Sequence, residues 1–126
     1  MNTHALARSA YGNPSTVQKS PRSAEYEVIS RVTARLRSAL RDRTTDFPGL
    51  VAALNDNRRL WVALATDIAT PGNALPVPLR ASILSLAQFT LRQTEIMLAE
   101  KNAQGDVLVE INLAILRGLS GKEAVT

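Results

Sequence analysis

The stretch DFPGLVAALNDNRRLWVALATDIAT, residues 46–70, decides the fold class. Within it Phe47, Leu50, Leu54, Asn57, Trp61, Leu64 and Ile68 follow one another at intervals of 3, 4, 3, 4, 3 and 4 residues. That spacing puts them on one side of an α-helix, and so regular a seam suits lengthwise packing against other helices, as in a bundle. Asp46 followed by Pro48 marks the helix start, because proline lacks the amide hydrogen that a first turn leaves unbonded anyway. Thr70-Pro71-Gly72-Asn73 stops the helix at about Thr70. Trp61 in the seam reads as core, its indole N–H needing a nearby acceptor. Asn57 either fixes the register between helices or turns its amide toward a partner's backbone, and register is the simpler reading.

Working outward, the same periodicity recurs on both sides. From about Arg22 to Arg43, Val28, Ile29, Val32, Leu36, Ala39 and Leu40 form an apolar stripe, with Ser23 as a cap and Glu25 and Glu27 as first-turn acids. Leu75-Pro76-Val77-Pro78 predicts an extended connection, and a third helix should cover about Leu79 to Glu100. Apolar residues occupy most of that helix's circumference, so it is either central in the fold or uncovered for a partner. Asn102 to Gly105 predicts a turn, and Asp106 is placed to cap a last, strongly apolar helix to about Leu119, with Gly118 and Gly121 at its end. Residues 2–11 read as a short helix ending at Tyr11-Gly12. The prediction is one all-α domain over residues 1–126: a small bundle of four main helices plus a short N-terminal helix, with a mobile N-terminus, a linker near 12–21 and a loose tail after 121.

Composition narrows the function. The chain of 126 residues has no cysteine, so disulfides, thiolate metal sites and thiol nucleophiles are excluded together, and a cytoplasmic location is the expectation. The longest uncharged stretch, residues 68–79, contains three prolines and a glycine and predicts no membrane span. His4, the only histidine, sits near the N-terminus without supporting groups, and no glycine-rich phosphate loop is present. We expect no catalytic residues, no metal and no cofactor.

The net charge of +4 has a location. Residues 19–43 carry seven basic and three acidic residues, 7 − 3 = +4, and the remainder is neutral. Arg31, Arg35, Arg37 and Arg41 are expected to project from the side of the first main helix opposite its apolar stripe. Guanidinium groups suit phosphates, but aromatic residues for stacking bases are missing and acids are interspersed, so a solvated outer face is the plainer reading. The Asn73 to Arg80 segment is apolar and stiff for a connection, which fits either a loop packed across the bundle end or a recognition edge.

Several of these features together resemble the FlaF family. Ala10-Tyr11-Gly12 is similar to its N-terminal signature. Asn57-Arg58-Arg59-Leu60-Trp61, Asp67, and the run Asn73 to Ile83 with Leu86 and Phe89 resemble its central block, and Val109-Glu110-Ile111-Asn112 with Gly118-Leu119 its closing motif. The resemblance implies a cytoplasmic factor for flagellin production and filament assembly, working alongside FlbT, and acting as a flagellin-binding chaperone or a positive regulator of flagellin synthesis. On this reading the partner is flagellin, through its C-terminal helical region, and the candidate contact residues are Asn57, Trp61, Asn73, Leu75, Pro76, Leu79, Arg80, Ile83, Phe89 and Asn112. Two alternatives stand beside it: RNA binding through Arg31, Arg35, Arg37 and Arg41, or an adaptor role toward FlbT or export components. Self-association into a homo-oligomer would use the same surplus apolar surface.

Overall fold

The computed structural model describes residues 21–120, which form four α-helices: α1 (Pro21–Arg41), α2 (Phe47–Ala69), α3 (Val77–Ala99) and α4 (Asp106–Ser120). No strand occurs among the described residues. The expected helix over residues 2–11 and the tail after 121 lie outside them, and of the linker near 12–21 only Pro21 is described, as the first residue of α1.

The helix ends follow local chemistry. Because α1 opens at Pro21, Ser23 lies inside its first turn rather than capping it, and Glu25 and Glu27 fall beyond that turn. It stops at Arg41, two residues earlier than periodicity suggests, where the Asp42 carbonyl accepts from both Thr45 N (3.0 Å) and Asp46 N (2.9 Å) and folds the chain into a tight turn. Asp46 caps α2 as expected, its carboxylate accepting from Gly49 N at 2.9 Å. The extended connection before α3 is shorter than predicted. Pro76 stays extended (φ −58°, ψ 147°), while Val77 already opens α3 and Pro78 sits in the first helical turn, where its missing amide hydrogen costs nothing. Gly72, with φ +89°, supplies the left-handed turn between α2 and α3. Helix α4 runs through Gly118 to Ser120, within a residue of the end expected at about Leu119.

The packing order explains what is buried. Helix α1 lies along both α2 and α4, α2 also lies along α3, and α3 meets α4 only sparsely. Helix α3 thus packs chiefly on α2, while α1, α2 and α4 each contribute buried residues to both apolar clusters of the core. One contains Leu36, Leu40, Leu50, Leu54, Met97, Leu108 and Val109; the other contains Val28, Ile29, Val32, Leu60 and Leu116. Along each of these three helices, one polar or amphipathic residue falls between the clusters: Thr33 on α1, Asn57 on α2 and Asn112 on α4, all buried.

Gly105 occupies the corner where the ends of α1 and α3 meet the start of α4. A β-carbon there would run into Met97 and Leu40, so this buried glycine lets the turn sit directly on the core.

Candidate protein-binding face

The site begins with the way α3 distributes its side chains. Its buried residues are Ala87, Thr90, Thr94 and Met97, which recur at spacings of three and four and form the side turned to α2. Three of the four are small. Helices meeting through small residues approach closely, but the large side chains of α3 then have to point elsewhere. Leu79 is 45% exposed, Phe89 43% and Ile96 38%, with Leu86 half-buried among them. These residues share a second seam, Leu79, Ser82, Leu86, Phe89, Gln93 and Ile96, again spaced 3, 4, 3, 4 and 3. No helix of the bundle covers it. At its N-terminal end Val77 is 66% exposed and Pro76 is also exposed, so the apolar strip runs out of the helix into the connection.

The Asn73 to Arg80 segment is held rigidly beside that end. The Asn73 side chain accepts from Leu75 N at 3.0 Å and donates to the Asp67 carbonyl at 3.3 Å, tying the connection back to the last turn of α2. Asn73 is therefore a positioning residue for Leu75 and Pro76. Leu75, Arg80 and Ile83 are partly buried and Pro76, Leu79 and Phe89 exposed; at 3.6 residues per turn Arg80 and Ile83 fall on the side of α3 that carries Ala87 and Thr90, and Phe89 falls on the side away from it, so these residues do not form one surface.

Three candidate contact residues lie elsewhere. Asn57, Trp61 and Asn112 are in the interior, with at most 1% of their surface accessible. The Trp61 indole nitrogen donates to the Asn112 side-chain oxygen (2.9 Å), and the Asn112 amide nitrogen donates to Asn57 Oδ1 (2.8 Å) and Thr33 Oγ1 (3.1 Å). They bond to one another at the level of the break between the two apolar clusters, which leaves only Asn57 Nδ2 without a partner among their side-chain polar atoms. They reach a partner only through the fold they hold in place, which corrects their assignment as contact residues.

Helix α4, strongly apolar in sequence, has no such uncovered side. Its apolar girth is taken up by packing on α1, with Leu108, Val109 and Leu116 buried, and it contributes no large exposed apolar residue among those described. The surplus belongs to α3. Ile96 and Val77, absent from the sequence-based contact set, extend the face; the second 3-4 seam is the signal by which Ile96 could have been found.

The four arginines do not form one face. Arg35 pairs with Asp56 of α2 at 3.3 Å, and Asp56 also holds Arg59 at 2.6 Å. Arg37 and Arg41 lie on the other flank of α1, lining an open cleft against α4 that also contains Asp106 and Glu110. At 3.6 residues per turn, Arg31 follows Arg35 and not the other two. A phosphate backbone would meet two separated pairs, one next to Asp56 and one facing acids.

Among the described residues no helix is long and apolar enough to cross a membrane, and no three His, Asp or Glu side chains come together in a way that could hold a metal ion.

A helical bundle with one helix packed chiefly on a single neighbour and left apolar outward defines a small all-α protein of the bundle class. The family model described as Flagellar protein FlaF matches residues 7–119, and the chain belongs to that family. No curated protein and no solved structure matches the chain.

Proposed function

We propose that this flagellar protein promotes flagellin synthesis and filament assembly without catalysis, by binding flagellin as a cytoplasmic chaperone. The observation that carries the reading is the uncovered seam of α3, in which Leu79, Leu86, Phe89 and Ile96 offer a straight apolar strip to an amphipathic helix. A terminal helix of flagellin would supply such a surface, and membership of a flagellar protein family favours flagellin as the partner.

Magnitudes favour a reversible complex. Covering the exposed part of each large side chain returns roughly 1–2 kcal/mol at ~25 cal/mol per Å². Four such residues return roughly 4–8 kcal/mol, of the same order as the ~4–15 kcal/mol of freedom lost on association, so the seam alone gives at most weak binding. That suits a chaperone, which has to release its client before export.

Isothermal titration of the full chain with a flagellin C-terminal fragment tests the reading. Saturable binding that disappears in Phe89→Asp while helicity is retained supports it. Absence of binding by the folded wild-type chain would sink it. A salt-sensitive complex with a flagellin leader transcript, lost when Arg37 and Arg41 are changed, would move the function to RNA.

A further inference from the structure

The α3 seam has a property that a client-binding surface does not require: it reads alike in both directions. About a point between Ala87 and Gln88, Leu79 corresponds to Ile96, Ser82 to Gln93, and Leu86 to Phe89. Two copies of α3 laid antiparallel would set apolar against apolar at four of the six levels. At the other two, the Ser82 hydroxyl would face the Gln93 amide, whose nitrogen already donates to the Gln104 carbonyl at 2.6 Å and whose oxygen is left to accept. No charged residue lies in the seam, so no like charges are opposed. A two-fold axis requires such self-complementarity, since a residue that meets a second across the axis is met by that second residue in turn.

We infer that, with no client present, the seam of α3 is covered by α3 of a second copy, packed antiparallel about a two-fold axis. The flagellin helix then takes the seam by displacing that copy, a step that rests on the chaperone reading. The contact spans about five helical turns, small for an obligate interface and therefore exchangeable. Self-pairing keeps four large apolar side chains out of water until a client arrives, and makes client binding and dimerisation mutually exclusive.

Light scattering on the full chain alone tests the first part. The expected mass at tens of micromolar is twice the 13.6 kDa of one chain, falling to one chain in Phe89→Asp with the helical circular dichroism unchanged. A monomeric wild type, or a dimer that survives Phe89→Asp, would overturn it.

Because the chain has no cysteine, orientation can be read by oxidation. A mixture of Leu79→Cys chains and Ile96→Cys chains should form the mixed disulfide, while neither variant cross-links to itself. Self-linking of Leu79→Cys would mean a parallel pair and would refute the geometry. Adding the flagellin fragment should convert the dimer into a one-to-one complex. A fragment that binds the intact dimer would refute the exchange and move the flagellin site off the α3 seam, though flagellin binding itself held; a dimer that ignores the fragment would sink the chaperone reading and the exchange while the self-pairing held.

Discussion

The Trp61 indole donates to the Asn112 side-chain oxygen at 2.9 Å, joining α2 to α4 between residues 51 positions apart. Asn112 carries the contact further, because its amide nitrogen reaches both Asn57 and Thr33. One side chain on α4 thus gathers α2 and α1 into a single polar layer. The layer separates two apolar clusters, and a slip of one turn in any core helix would put an amide or a hydroxyl into one of them. Buried polar layers of this kind specify register at some cost in stability.

Asn112→Leu should therefore be more harmful than its volume suggests. It leaves the Trp61 N–H and Asn57 Oδ1 buried without these partners, and each orphaned group costs about 1–3 kcal/mol. A loss of roughly 2–5 kcal/mol in the urea midpoint analysis is expected. Trp61→Phe removes one of the same bonds, so the double variant should lose measurably less than the sum of the single losses. Strict additivity would show that the two side chains act independently.

How much of this was legible beforehand depended on whether the deciding physics was local. The seam from Phe47 to Ile68 and the Asp46 cap are local patterns, and both appear in the structure as read. Neighbour choice is not local. Periodicity shows that α3 and α4 each have apolar sides, but not that α1 would cover α4 while α3 would turn its small residues to α2. The same limit applies to Asn57, whose partner lies on a helix distant in sequence. Arg31 and Arg37 look alike in a charge count; an acid on α2 and a cleft against α4 set them on different flanks.

Glycine substitutions should separate close approach from mere helix ending. In Gly105→Ala the new methyl would meet Met97 and Leu40, and overpacking of this kind costs about 1–3 kcal/mol. Gly118 has open space around its Cα within α4. Gly118→Ala should stabilise the fold by up to about 1 kcal/mol through helix propensity, less if that last turn frays. Thermal melts of the two variants should shift in opposite directions.

Asp46→Ala removes the side-chain acceptor of Gly49 N and should cost about 1 kcal/mol, the usual loss for an N-cap. Asp46→Asn keeps an acceptor oxygen and should recover most of it. Denaturant midpoints of the pair check this; equal losses would mean that charge rather than the hydrogen bond matters.

Aspartate scanning along α3 should divide its two seams. Met97→Asp places an unpaired carboxylate in the core, where Met97 is fully buried, and should unfold the protein. Phe89→Asp and Ile96→Asp alter exposed positions and should stay folded, losing no more than about 1 kcal/mol from helix propensity. Circular dichroism reads the difference directly. Collapse of all three variants would show that the outer seam is packed in solution even within one chain.

The α2–α3 contact should be the first to open. It is made through Ala87, Thr90 and Thr94, which bury little apolar area, and it contains two buried polar atoms without partners, Asn57 Nδ2 and Thr90 Oγ1. Antiparallel register, anchored where Met97 shares a cluster with Leu50 and Leu54, sets Asn57 and Thr90 at about the same level. Each unpartnered group weakens the contact by about 1–3 kcal/mol relative to a satisfied one. Native-state hydrogen exchange should accordingly show the central amides of α3 opening at lower free energy than those of α1, α2 and α4. Thr90→Val replaces the orphaned hydroxyl with a methyl of the same shape. It should raise the opening free energy of α3 by about 1 kcal/mol and leave the amides around Trp61 and Asn112 that exchange only by global unfolding changed by no more than that. Faster exchange of α3 in Thr90→Val would mean that the hydroxyl has a partner in solution, and that the lateral helix is held by a hydrogen bond rather than by close packing alone.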